Sequence, residues 1–369
     1  LSFTRSHFHH ALRLILAGSL AAIIIQTGFS QQAQKKGAKS AAVKPGDWPM
    51  MNRELNGQRH SPLSQITPQN VSKLTKVWSY PLGNFKNAGS ITGGSEITPA
   101  VIDGVMYITT AEKVVALEAV TGKELWSYTP TNAQPGRRGV AYWPGDQNNP
   151  PRVIFPAGRM LIGLNGRTGK VDPGFGKEGF VDMVTAYDSA PTVFRNLLFI
   201  GSNSGETNPG PPGDTRAYDA RTGEKLWEFH TVPRPGEPGH ETWEGDSWKD
   251  RSGTNVWGFG MTVDEERGLL FMPIGGPSAN YFGGDRKGNN LYGNSVVAVD
   301  ANTGKVKWYY QVIHHDLFDY DLPPAPMLME ATINGKKTPL VVQTTKSGYM
   351  YILHRETGQP VFGATETPV

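Results

Sequence analysis

The chain contains no cysteine. That excludes disulfides, thiolate zinc sites, iron–sulfur clusters and thioether-attached haem within its 369 residues. It also lacks an excess of charge of either sign, with 36 Lys and Arg against 33 Asp and Glu. The basic stripe that a nucleic-acid partner requires is therefore missing. Long apolar runs are equally scarce. Residues 14–27 (LILAGSLAAIIIQT) form one, short of the ~20 residues of a membrane span and interrupted by Ser19 and Gln26.

Arg5 and Arg13 precede this run, no acid occurs in residues 1–30, and Gly28-Phe29-Ser30 follow it. A basic start, a short apolar stretch and small residues at its end read as an export signal over residues 1–30, with a retained membrane anchor as the other reading. Residues 31–44 (QQAQKKGAKSAAVK) are polar and patternless, as in a disordered linker. The expectation is a periplasmic protein, with peripheral membrane association left open, whose folded body covers residues 45–369. Lacking disulfides, an exported body must be held by packing, with bound metal as one possible aid.

Glycine and proline are plentiful, 44 and 28 residues, about 20% together against roughly 12% in average usage. So much turn-forming material favours short strands over long helices. Five segments repeat one pattern, an alternating apolar strand followed by a Thr-Gly turn, with the glycines at 122, 169, 223, 304 and 358. Glycine there supplies the positive φ of a tight turn, and the alternation gives each strand one buried face. Trp126, Trp227 and Trp308 follow their glycines by the same offset, while Pro173 takes that place in the second repeat. A large flat side chain at a fixed place in each unit suits sheet-on-sheet stacking. The pattern predicts an all-β fold, a β-propeller of four-stranded antiparallel blades. Residues 74–81 (LTKVWSYP) predict a further strand ending near Trp78. The long gap between the third and fourth turns predicts an insertion over residues 234–260, where Gly and Trp are dense and no strand pattern holds.

Four clusters carry chemistry-bearing residues. Residues 314–323 (HHDLFDYDLP) combine two histidines with three carboxylates, suited to a metal site or a general base, or to an acidic solvated loop. Residues 201–206 (GSNSGE) let backbone and a carboxylate approach an ion closely, or form an ordinary turn. Residues 253–258 (GTNVWG) flank an aromatic with glycine, for stacking on a flat ligand or for core packing. Arg137 and Arg138 can clamp carboxylates or lie idle on a surface. In a propeller, equivalent edges of successive blades converge on one axis, so Glu96, Arg138, Glu206, Trp257, Asp316 and Lys346 would share a central funnel.

With these motifs in place, and with residues 59–78 (RHSPLSQITPQNVSKLTKVW) and 345–353 (TKSGYMYIL), the sequence from Trp48 onward resembles the pyrroloquinoline quinone (PQQ)-dependent dehydrogenases. Within them it resembles the glucose/polyol-type branch without a haem domain. The resemblance implies PQQ and calcium as cofactors, a sugar, polyol or alcohol as substrate, and a quinone or separate cytochrome as electron acceptor. It implies Asp316 as catalytic base and calcium ligand, and Glu206 as a second ligand. It implies Trp257 as the floor under the quinone, with Glu96, Arg138 and Lys346 as cofactor contacts. Where the family often has Gly-Asn-Pro as a calcium motif, Gly275-Gly276-Pro277 stand here, and Asn280 is the substitute ligand. A cofactor-binding Thr is replaced by Asp188-Ser189, either of which takes its role. The adjacent cysteines that often cover the cofactor are absent. The family closes eight blades and about five are visible, so the sequence reads as the N-terminal portion of such an enzyme, catalytically competent or not. A non-catalytic envelope scaffold with the same repeat is the alternative of a different class.

Overall fold

The computed structural model describes residues 42–84 and 94–367. The expected export signal and residues 31–41 of the expected linker lie outside the described residues. So does the whole of the first of two compact units, Leu1–Lys35; the account below concerns the second.

Short strands joined by glycine-bearing turns dominate, as the composition requires. The first sheet holds β1 (Ala100–Ile102), β2 (Val105–Thr109), β3 (Val114–Glu118) and β4 (Glu124–Tyr128). The second holds β5 (Ala141–Trp143), β6 (Arg152–Ala157), β7 (Met160–Asn165) and β8 (Phe180–Asp182), and the third β9 (Thr192–Phe194), β10 (Leu197–Ile200), β11 (Thr215–Asp219) and β12 (Lys225–Phe229). The fourth comprises β13 (Thr262–Asp264), β14 (Leu269–Ile274), β15 (Ser295–Asp300) and β16 (Val306–Gln311), and the fifth β17 (Met327–Ile333), β18 (Lys336–Thr344) and β19 (Met350–His354). Each sheet is antiparallel with its strands in chain order, a propeller blade. In the fifth, Val361 N donates to Ile352 O at 2.9 Å, beside β19 where a fourth strand would run.

The Thr-Gly turns close as the sequence predicts. Gly122, Gly169, Gly223, Gly304 and Gly358 all have φ between 68 and 74°. Each donates its N–H to the carbonyl four residues earlier, as Gly304 does to Asp300 at 2.8 Å. The same glycines are needed a second time, between blades. A Cβ on Gly169, Gly304 or Gly358 would lie 2.4–2.7 Å from the rings of Trp126, Trp227 and Trp308 of the preceding blade. Each indole N–H then donates to a carbonyl of the same neighbouring turn: Trp126 to Gly166 O at 3.2 Å, Trp227 to Ala301 O at 3.0 Å, Trp308 to Arg355 O at 2.9 Å. Within its own blade each Trp faces an alanine, Ala116, Ala217 or Ala298, beside a bulge in the ladder. Truncating such a Trp costs about 3–5 kcal/mol.

The second blade departs from this scheme where Pro173 stands. The chain leaves the sheet after Val171 and returns only at β8. Arg152, at the start of β6, replaces the missing indole by donating Nη1 to Ala220 O and Arg221 O at 2.6 Å each. Asp172 holds its Nε at 2.7 Å, and Trp143 and Phe175 cover its faces. Gly176 N bonds Thr222 O at 2.8 Å, and its backbone lies where a Trp ring would press on Gly223.

Two sequence expectations are corrected. Residues 74–81 form no strand, because no neighbouring strand lies alongside to complete a ladder among the described residues. Trp78 still stands against Gly122 as the other Trp residues do against theirs. The insertion at 234–260 is present and irregular, with a single turn of 3-10 helix at His240–Thr242. A second excursion, residues 275–294 between β14 and β15, was not anticipated. Among the described residues no helix is long and apolar enough to cross a membrane.

Candidate functional site

The residues that carry chemistry lie before the first strand, or after the second, of successive blades. Arg138 precedes β5, Asp188 and Ser189 precede β9, Trp257 precedes β13, and residues 314–323 precede β17. Glu206 follows β10, Gly276 follows β14 and Lys346 follows β18. All these positions fall at one end of their blades.

Trp257, half-buried, is the meeting point. Arg138 lies 5.7 Å from its ring centre and Lys346 Nζ 5.4 Å, close enough for the ring face to attract both cations. Arg138 is buried and fully countered. Its Nε lies 2.8 Å from Glu96, its Nη1 bonds Asp188, and Ser189 Oγ accepts at 3.3 Å. Arg137 joins with Asp188 at 3.0 Å and Glu96 at 3.4 Å. Burial pushes the Asp188 carboxyl up from its usual range, against the pull of the two arginines. Ser189 Oγ also donates to Gly258 O at 2.7 Å, fixing the chain just after Trp257.

On the other side, Lys346 Nζ bonds Asp319 at 2.7 Å and Asp321 at 2.9 Å. Asp321 is held rigidly: its Oδ1 accepts from Gly276 N at 2.6 Å and its Oδ2 from the Trp257 indole at 3.1 Å. Asn280 Nδ2 donates to Asp319 at 3.1 Å. Burial raises the Asp319 pKa; Lys346 opposes this, while the charges of Asp321 and Glu206 add to it. Burial works against the charge of Lys346, but its two aspartates outweigh it and its pKa is raised. The loop bearing Glu206 is seated on the Trp257 segment: a Cβ on Gly201 would lie 1.9 Å from Val256 O.

The structure therefore assembles Glu96, Arg138, Asp188, Ser189, Trp257 and Lys346, and brings Glu206 and Asn280 to Asp319. Asp316 is not part of this set. It is buried, its Oδ1 accepts from Phe318 N at 2.9 Å, and its Oδ2 accepts from Tyr320 N at 2.8 Å and Asn294 Nδ2 at 3.0 Å. Those bonds make it the staple that folds residues 316–320. Asp316, expected as base and ligand, is thus engaged by its own loop and by Asn294, and it is Asp319 that bonds Lys346 and Asn280 within the assembled set. Asp316 could have been recognised as an Asp whose oxygens bond amides two and four residues on. Asn294, which braces Asp316 and lies against Gly276, was missed.

Two carboxylates, Asp319 and Asp321, bond one ammonium, and the charge of Glu206 acts on Asp319; such a surplus of carboxylate suits a hard cation. A half-buried Trp face flanked by a guanidinium and an ammonium suits a planar, anionic ring. The residues present thus fit both groups. Among the described residues, the trio whose ligand atoms already lie close enough to share one ion is a different one, Asp214, Glu228 and His230, on the third blade. Arg216 at 2.7 Å from Glu228 and Arg234 at 3.1 Å from Asp214 already supply its positive charge.

Known proteins match the chain over most of its length. The quinoprotein glucose dehydrogenase of Escherichia coli (strain K12) is 31% identical over 403 residues, 96% of this chain and 49% of its own. The solved quinohemoprotein alcohol dehydrogenase of Comamonas testosteroni superposes with a TM-score of 0.75 at 30% identity, over 89% of this chain and 50% of its own. A europium-containing methanol dehydrogenase gives 0.73 at 27% identity, over 86% and 57%. The chain spans about half the length of the curated relatives it matches. The family profile described as PQQ: glucose/ethanol/alcohol dehydrogenase, beta-propeller domain, matches residues 48–369, and the chain belongs to that family.

Proposed function

We propose that this chain carries the cofactor- and metal-binding part of a periplasmic quinoprotein dehydrogenase. It would oxidise a hydroxyl of a sugar, polyol or alcohol and pass the electrons to a quinone or a cytochrome. One observation carries the reading: Arg138 and Lys346 lie 5.7 and 5.4 Å from the ring centre of Trp257, and Lys346 is outnumbered by the carboxylates around it. Bound PQQ supplies the two-electron acceptor. Trp257, Arg138 and Lys346 are the residues that would hold it, the ring by stacking and the cations by charge. Glu206, Asn280 and Asp319 are the residues that would hold the metal, calcium or, as in the europium-containing neighbour, a lanthanide.

Asp319 takes the proton of the substrate hydroxyl. Asp321 is locked by a backbone amide and an indole, whereas Asp319 is held only by side chains that can move. Its raised pKa brings it nearer the working pH, where a general base is most effective. The test is a titration with PQQ in calcium or europium, followed by dye reduction with glucose and ethanol. Metal-dependent quenching of tryptophan fluorescence, weakened in Trp257→Ala, is expected. Asp319→Asn should lower turnover about 10²–10⁴-fold, whereas Asp316→Asn should chiefly lower the melting temperature. Absence of metal-dependent PQQ binding, or full turnover in Asp319→Asn, overturns the proposal.

A further inference from the structure

Residues 48–59 run past three first strands and bring one more cation to the site. Trp48 pairs with Val101 of β1, Leu55 O accepts from Val263 N of β13 at 2.9 Å, and Asn56 O accepts from Leu328 N of β17 at 2.8 Å. The segment ends at Arg59, which has a φ of 53°, a region costly for any residue but glycine. Arg59 Nε donates to the buried Asn52 Oδ1 at 2.6 Å, and its guanidinium lies 5.7 Å from the ring centre of Phe259. Arg138 lies 5.5 Å from the same ring. Phe259 is thus shared by two arginines of opposite circumstance. Arg138 is saturated by Glu96 and Asp188, while Arg59 has no carboxylate partner among the described residues. Its two terminal nitrogens have no acceptor there either. Part of its side chain is open to solvent, yet burial of the guanidinium lowers its pKa.

We propose that Arg59 is an anion-binding residue at the edge of the Trp257 site, taking one carboxylate on its terminal nitrogens. The planar fork of a guanidinium matches a carboxylate in two parallel hydrogen bonds. Asn52 engages Nε and leaves the two terminal nitrogens without an acceptor among the described residues, and a guanidinium partly withdrawn from water gains from a counter-ion. Two sources present this chemistry: a carboxylate of the quinone cofactor, or one on the substrate, as in a sugar acid. The first rests on the function proposed above; the second does not.

The test titrates wild type, Arg59→Gln and Arg59→Lys with PQQ plus calcium, with glucuronate, and with glucose as the neutral counterpart. Calorimetry reads binding and thermal melting checks the fold. Arg59→Gln should weaken a carboxylate probe about tenfold or more and leave glucose unchanged, and Arg59→Lys should recover part of the loss. Weakening of PQQ alone assigns the cofactor carboxylate, and of glucuronate alone the substrate's. Both carboxylate probes unaffected, neither bound by wild type, or glucose weakened equally, overturns the inference. PQQ binding that needs Trp257 but ignores Arg59, with glucuronate also indifferent, removes Arg59 and leaves the proposed function standing. Arg59-dependent glucuronate binding by a chain that binds no PQQ does the reverse.

Discussion

Trp257 has a cation on each of two flanks, and the flanks are balanced differently. Around Arg138 two arginines meet two carboxylates, and the group is close to neutral without any ligand. Around Lys346 two carboxylates meet one ammonium, Glu206 adds its charge at Asp319, and negative charge is left over. The first flank is fixed by the chain itself and can serve as a template. The second is incomplete by charge and invites a cation. A site for an anionic ring and a metal benefits from both, since a preorganised side positions and an unbalanced side binds.

The comparison can be broken most forcefully on the neutral flank. Arg138→Ala leaves Arg137 alone against Asp188 and Glu96 and should cost about 2–3 kcal/mol, read as a urea midpoint. That is below the roughly 3–5 kcal/mol of a fully buried pair, because the carboxylates keep 31% and 36% of their side-chain surface exposed. On the charged flank the effect should appear in pH dependence instead. Asp319 acts deprotonated, so turnover rises with pH through its pKa. Lys346→Met removes the charge that lowers that pKa and should move the rise to higher pH by about a unit, with weaker PQQ binding. Glu206→Gln removes a charge that raises it, and should move the rise in the opposite direction by a few tenths, about the size of a partly screened neighbour. Equal shifts of one sign in both variants would refute the charge balance assigned to this flank.

What the sequence made legible was local. A Thr-Gly turn with Trp at a fixed offset needs only a positive φ and a flat ring, so five blades could be placed before any coordinates. Pro173 marked an exception, but its replacement by Arg152 depends on packing against the next blade and leaves no periodic trace. The gathering of Arg138, Trp257 and Lys346 joins residues far apart in the chain, and it was reached through resemblance rather than spacing. Residues 314–323 were singled out correctly as a group. Which of their aspartates bonds Lys346 was not legible, because the loop's own amides, which engage Asp316, take their places only when it folds. Residues 74–81 show the reverse case: a strand pattern without a partner strand does not become a strand.

The seams between blades have a consequence for assembly. A Trp ring on a glycine, with one indole donor reaching one carbonyl, is an interchangeable coupling, and any blade that offers it fits any neighbour with the turn. Identical couplings alone would let blades associate out of turn, the hazard of every repeat protein. The seam made by Arg152 and Gly176 is keyed, since its donors match the turn at Ala220–Thr222 through a different geometry. Among the described residues this one keyed joint, between the second and third blades, stands apart from the Trp-on-glycine seams on either side of it.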